Sequence, residues 1–208
     1  REFFETWEGG RLVMNIAELP FKCPVAPLEF VFLADEYFTK AGIRNKVDIT
    51  YVTPLPGAFT KPIATKMLSR LLEEKNITVI PDFYLESVDQ KEKKIKSYDG
   101  REIPFDVLTI VPVNKGDDMV ERSGMGDDLN FIPTDKHTLR SEEYENIFVL
   151  GDASNIPTSK AGSVVHFASE VLFDNLMCAI KGRALRAKFD GHANCYIETG
   201  FGKGSLID

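Results

Sequence analysis

Three cysteines are the residues most able to do covalent chemistry in this chain, Cys23, Cys178 and Cys195. Cys23 lies in Pro20-Phe-Lys-Cys-Pro-Val-Ala-Pro27, where two prolines bracket the start of a predicted helix. A thiol acts as a nucleophile or a two-electron redox group in its thiolate form, which an adjacent Lys22 and a helix N-terminus both favour. Cys195 sits in Asn194-Cys-Tyr-Ile-Glu198, three residues after His192, which reads either as a base for the thiol or as a loop histidine. Cys178, between Met177 and Ala179 on an apolar helix, reads as a buried small side chain. No C-x-x-C spacing is present, so any chemistry shared by two cysteines is long-range. His137, His166 and His192 form no H-x-x-x-H or H-E-x-x-H array, and no metal is expected. His166 and Glu170 stand one helical turn apart, spaced for a proton relay or for an ordinary solvated pair.

A second cluster begins at Ile147-Phe-Val-Leu-Gly-Asp-Ala153. An apolar strand here delivers Gly151 and Asp152 to the carboxyl edge of a sheet, where α/β proteins bind ligands and a carboxylate accepts hydrogen bonds from a polyol. An aspartate capping the following turn is the other reading. Ile156-Pro-Thr-Ser-Lys-Ala-Gly162 then leads into a long helix, so Lys160, Ala161 and Gly162 bring positive potential to an anion or an electron-rich ring. The glycines of Gly200-Phe-Gly-Lys-Gly204 fail both the spacing and the context of a dinucleotide loop and predict a hairpin turn. The Cys-Pro-Val-Ala-Pro stretch likewise lacks the glycines that let backbone N–H groups reach a pyrophosphate, which argues against pyridine-nucleotide binding there.

These residues need a frame, and periodicity supplies one. Gly10–Ala17, Val47–Val52, Ile77–Ile80 and Phe105–Val111 read as buried strands, separated by helices over 28–41 and 63–74. Residues 83–105 read as short antiparallel strands around the turn Tyr98-Asp-Gly100. Asn146–Leu150 reads as a further strand, Gly162–Gly182 as a long helix, and residues 194–207 as a terminal hairpin. The expected fold is α/β, a Rossmann-like parallel sheet with a small antiparallel meander over 10–113, followed by part of a second, ligand-binding domain over 114–208.

Composition narrows the function. The 208 residues carry 25 Lys+Arg against 32 Asp+Glu, a net charge of -7, and 43% are hydrophobic. That is a globular composition, and its negative sign argues against a nucleic-acid partner, whose phosphates are bound by surplus cations. The first nine residues lack the pattern of a secretory signal, and no uninterrupted apolar run reaches the roughly 18 residues that span a bilayer. The chain opens without Met and is expected to be a piece of a longer protein.

Taken together and in order, Phe21-Lys-Cys-Pro-Val-Ala-Pro27, Ile147-Phe-Val-Leu-Gly-Asp-Ala153, Pro157-Thr-Ser-Lys-Ala-Gly162 and Asn194-Cys-Tyr-Ile-Glu198 resemble the sulfide:quinone oxidoreductases and the related flavocytochrome c sulfide dehydrogenases. The resemblance covers nearly the whole chain. It implies that residues 114–208 are the C-terminal part of an FAD-binding domain, that Cys23 and Cys195 are a redox pair facing the flavin, that Gly151 and Asp152 hold its ribityl chain, and that Lys160, Ala161 and Gly162 lie near its pyrimidine end. It implies sulfide and quinone as substrates and a cytoplasmic or membrane-surface location for the parent protein. That family's N-terminal G-x-G-x-x-G segment has no counterpart here. The rival expectations are an NAD(P)H-dependent flavoprotein such as a type II NADH dehydrogenase, and a non-catalytic α/β interaction module.

Overall fold

The computed structural model describes residues 2–208. A short helix α1 (Glu2–Thr6) precedes an alternation of β1 (Gly10–Ile16), α2 (Ala26–Lys40), β2 (Val47–Val52), α3 (Pro62–Glu74) and β3 (Ile77–Ile80). The meander strands β4 (Leu85–Asp89), β5 (Lys94–Ser97) and β6 (Glu102–Pro104) follow, and the chain returns to the first sheet as β7 (Val107–Val111). That sheet is parallel throughout, in the order β3-β2-β1-β7. β4, β5 and β6 form a separate antiparallel sheet. The mixed α/β class read from periodicity is the one observed.

Contacts divide the chain into two compact units: the chain up to Leu19 with Val25–Val113 and Tyr196–Ile207, and Pro20–Pro24 with Asn114–Cys195 and Asp208. In the first, α2 starts with Pro27 in its first turn, where a missing N–H costs nothing, and buries Leu28, Val31, Phe32 and Phe38 at helical spacing. Val13 and Val52 of the sheet pack with Phe83, Ile95, Ile103 and Phe105 of the meander. α1 was not foreseen, since the sequence reading places its first element at Gly10. Five residues cannot hold a helix unaided; the Phe4 ring at 5.3 Å and the Trp7 ring at 5.4 Å from Phe38 supply the packing that does. The C-terminal hairpin, β8 (Cys195–Gly200) and β9 (Lys203–Ile207), confirms the turn reading of its glycines.

Two polar contacts of this unit join distant parts of its chain. Asp35, 6% exposed on α2, accepts from Arg44 Nε at 2.7 Å and Lys75 Nζ at 2.8 Å. Arg11 on β1 grips Asp106, just before β7, with Nε and Nη2 each at 3.0 Å and its backbone N–H at 2.8 Å. The Arg11 guanidinium and backbone N–H hold the Asp106 carboxyl down at about 2. A depressed carboxyl stabilises the fold above its unfolded value and loses that contribution as pH falls towards the folded one. Asp106→Asn is therefore expected to flatten the loss of stability between about pH 4 and pH 2, read by urea unfolding across that range. An unchanged pH slope would show that this pair carries no linkage.

The second unit contains α4 (Asp118–Ser123), capped by the Asp117 side chain on Met119 N–H, and α5 (Gly162–Ile180). Residues 146–150, expected as a strand, lie in no named strand; among the described residues Phe148 makes only an isolated bridge to Arg140. An apolar run becomes a strand only where a neighbour offers a continuous ladder; here residues 139–141 offer one bridge, with Ser141 N–H donating to Ile147 O and Val149 N–H to Leu139 O, each at 2.9 Å, and Val149 packs with Val120 and Ile132. By length and composition α5 could cross a membrane. Its Val164 and Ala168 nevertheless sit in a core with Leu139, Ile156 and Phe189. Fully buried Asn175 ties the helix down by donating to the carbonyls of Thr138 and Ala187 and accepting from the N–H groups of Arg186 and Ala187.

Candidate functional site

The residues singled out for chemistry fall largely within the second unit, which takes in Pro20–Pro24 as well as Asn114–Cys195. Cys23 is an exposed, free thiol. Its backbone is left-handed, with φ 54°, a region that side chains other than glycine, Asn and Asp seldom occupy. Its N–H donates to the Lys160 carbonyl at 2.9 Å, and Lys22 forms a parallel bridge with Lys160. The Cys23 loop and the Thr158–Gly162 approach to α5 are thus fastened main chain to main chain.

Asp152 lies in a 3₁₀ turn, Gly151–Ala153, at the end of the apolar run. Gly151 has φ 67°, and a Cβ placed on it would come within 2.8 Å of the Val165 side chain of α5, so only glycine lets the turn approach the helix this closely. The Asp152 carboxylate, half-exposed, pairs with Lys22 Nζ at 3.2 Å. This partner was not anticipated: the sequence reading set Lys22 beside the Cys23 thiol, whereas its ammonium is engaged by Asp152.

Lys160 also turns inward. Its ammonium donates to the carbonyls of Ser154 at 2.7 Å and Asp152 at 3.3 Å and lies 3.9 Å from the centre of the Phe131 ring. Burial pushes its pKa down, with Asp152 opposing the shift. Ala161 is the N-cap of α5 and offers no side-chain cap, and Gly162 has open space where a Cβ would stand. Next to it, the Ser163 hydroxyl oxygen is buried and without a hydrogen-bond partner. The first turn of a long helix thus presents the unpartnered Ser163 hydroxyl beside an acidic turn, an arrangement suited to a ligand with hydroxyl groups and an electron-rich edge.

The structure brings Cys23, Asp152 and Lys160 together through Lys22. Cys195, half-buried, is the first residue of β8. Cys178 is 7% exposed, as its apolar neighbours suggested. His192 lies edge-on to Phe167, ring centres 4.3 Å apart, and 3.6 Å from the Asp208 carboxylate. Phe131 and Ser154, which fix Lys160, carry no chemical signature in sequence and were missed.

No protein-family model matches the chain. It is 30% identical to the mitochondrial sulfide:quinone oxidoreductase of Mus musculus over 98% of its length, and 27% identical to that of Schizosaccharomyces pombe over 97%. It spans about half of each relative, 48% and 45% respectively. Among solved structures it is similar to a chain of the mitochondrial ATP synthase of Tetrahymena thermophila, with TM-score 0.79, 24% identity and coverage of 99% of this chain and 51% of that one. It is also similar to the sulfide:quinone oxidoreductase of Aquifex aeolicus, with TM-score 0.77, 19% identity and coverage of 96% and 50%. In sequence and in fold, the chain is sulfide:quinone oxidoreductase-like over nearly its whole length.

Proposed function

We propose that this chain is part of a longer FAD-dependent sulfide:quinone oxidoreductase in which sulfide is oxidised at Cys23 and Cys195. The observation that carries the reading is Cys23: an exposed thiol in a fixed, left-handed backbone beside the Gly-Asp-Ala turn and the α5 N-terminus. The similarity to named sulfide:quinone oxidoreductases supports it. In the oxidised pair, hydrosulfide attacks one sulfur of a Cys23–Cys195 disulfide. A new S–S bond forms as a persulfide, the old one breaks, and the other cysteine leaves as a thiolate holding the electron pair. A second hydrosulfide would carry off the outer sulfur as HSS−, and the Cys23–Cys195 bond would re-form as the pair gives up two electrons, for which FAD, when bound, would supply the acceptor on the way to a quinone.

The residues present fit one end of that cofactor. The unpartnered Ser163 hydroxyl and the open first turn of α5 suit the electron-rich edge of the flavin, and the half-exposed Asp152 suits ribityl hydroxyls in exchange for Lys22. An exposed ion pair is worth little, so that exchange costs little. We assign the parent protein to the mitochondrion of its relatives, at a membrane surface where quinone is reached.

The test is anaerobic addition of sulfide, and separately of NADH, to the FAD-loaded full-length protein while the visible flavin band is followed. Prompt bleaching by sulfide and none by NADH is expected. Bleaching by NADH alone would replace this reading with a type II NADH dehydrogenase-like one, and a flavin inert to both would favour a non-catalytic module.

A further inference from the structure

We propose that Lys160 is a positioning residue for Cys23, acting through its own main chain rather than through contact with a substrate or cofactor. The inference rests on the reading that Cys23 is chemically active, and it adds to that reading what holds the thiol in place.

An ammonium has three N–H donors. Those of Lys160 point at the carbonyls of Ser154 and Asp152, and its charge lies over the Phe131 ring. The side chain is thereby spent on the protein itself. It ties residue 160 to the turn at 151–154, closing the intervening loop Asn155–Ser159 at both ends, while Ser154 anchors that turn through its N–H and hydroxyl on the Gly151 carbonyl. With its main chain fixed, Lys160 presents one carbonyl to the Cys23 N–H at 2.9 Å and bridges Lys22. A left-handed, non-glycine backbone persists only where its surroundings over-determine it. The Lys22–Asp152 pair is a second fastener, but its partners are each about half exposed, 45% and 50%, and it contributes weakly. The hydrogen bond from Cys23 to Lys160 is therefore the contact that holds the thiol's backbone, and it is only as firm as residue 160.

The test uses the chain itself, with hydrogen–deuterium exchange at the Cys23 amide and the rate of Cys23 alkylation by iodoacetamide, each resolved by peptide mass spectrometry. Lys160→Met keeps the aliphatic stem and removes the ammonium. It is expected to raise Cys23 amide exchange about tenfold and to shift the alkylation rate severalfold, while amides at Leu139 and Ala168 keep their protection. Lys160→Arg, which restores a cation above Phe131, is expected to return both readouts to within about twofold of the parent. Should Lys160→Met fail to fold, Phe131→Leu keeps the ammonium, removes the ring beneath it, and is expected to move Cys23 in the same direction by less. Unchanged exchange and alkylation at Cys23 in a folded Lys160→Met, or in Phe131→Leu when that variant is the one available, overturns the proposal. So does loss of protection spread equally over Leu139, Ala168 and Cys23, which marks general stability instead. Neither readout involves sulfide or flavin, so failure of this proposal is distinguishable from failure of the sulfide reading on which it rests.

Discussion

Full-length protein carrying Cys23→Ser is expected to keep its flavin and to lose sulfide-dependent bleaching by about a thousandfold or more. Serine keeps the size of the side chain and tolerates the same backbone. Its hydroxyl, however, neither ionises near neutral pH nor forms a bond to sulfur that sulfide can exchange. In the proposed mechanism the two cysteines work as one pair, so Cys195→Ser is expected to match it. Cys178→Ser is the control: its side chain is buried on α5, so a small loss of stability with bleaching retained is expected. Stopped-flow absorbance under anaerobic conditions reads all three. Bleaching at the parent rate in Cys23→Ser would remove the cysteine from the mechanism.

The largest expected loss of stability comes from Asp35→Ala. The Asp35 carboxylate is 8% exposed and stands between Arg44 and Lys75, themselves only 20% and 17% exposed. Removing it leaves two shielded cations facing one another, a situation that costs about 3 kcal/mol or more when a buried pair is broken from one side. Part of the penalty is offset: Arg44 still donates to the carbonyls of Val47, Lys75 and Asn76, and Lys75 still lies 4.5 Å from the centre of the Phe201 ring. A fall of about 2 to 4 kcal/mol in the unfolding free energy of the chain is expected in urea titration. A change below about 0.5 kcal/mol would show that water, rather than Asp35, satisfies the two cations.

Local pattern foretold much of this architecture. Val47–Val52 and Ile77–Ile80 are observed with the bounds that β-branched density gave them, and α3 begins one residue before its predicted start. Such segments depend on their own side chains. Asn146–Leu150 did not follow its pattern, because whether an apolar run joins a ladder is decided by what lies beside it. The same division holds at the site. Cys23, Asp152 and Lys160 were legible one by one, each in a local context of proline, glycine or helix start. That Lys22 reaches Asp152 and that Lys160 points at Ser154 and Phe131 are long-range facts, with no trace in residue type or spacing. Asp35 shows this most plainly: an aspartate on an amphipathic helix reads as solvent-facing until Arg44 and Lys75 are placed around it.

The chain order of the two units has a practical consequence. Pro20–Pro24 belongs with Asn114–Cys195, although the residues on either side of it, up to Leu19 and from Val25, belong with the parallel sheet. A dissection that follows sequence order, expressing 114–208 by itself, would discard Cys23 and leave the Lys160 carbonyl without its donor. A miniaturised version of the site needs a graft instead: the five residues 20–24 spliced back onto the later segment, with the left-handed turn at position 23 rebuilt by the linker. Limited proteolysis meets the same obstacle, since a cut between the units in sequence does not separate them in connectivity. The Cys23 loop is inherited from one half of the chain and housed by the other.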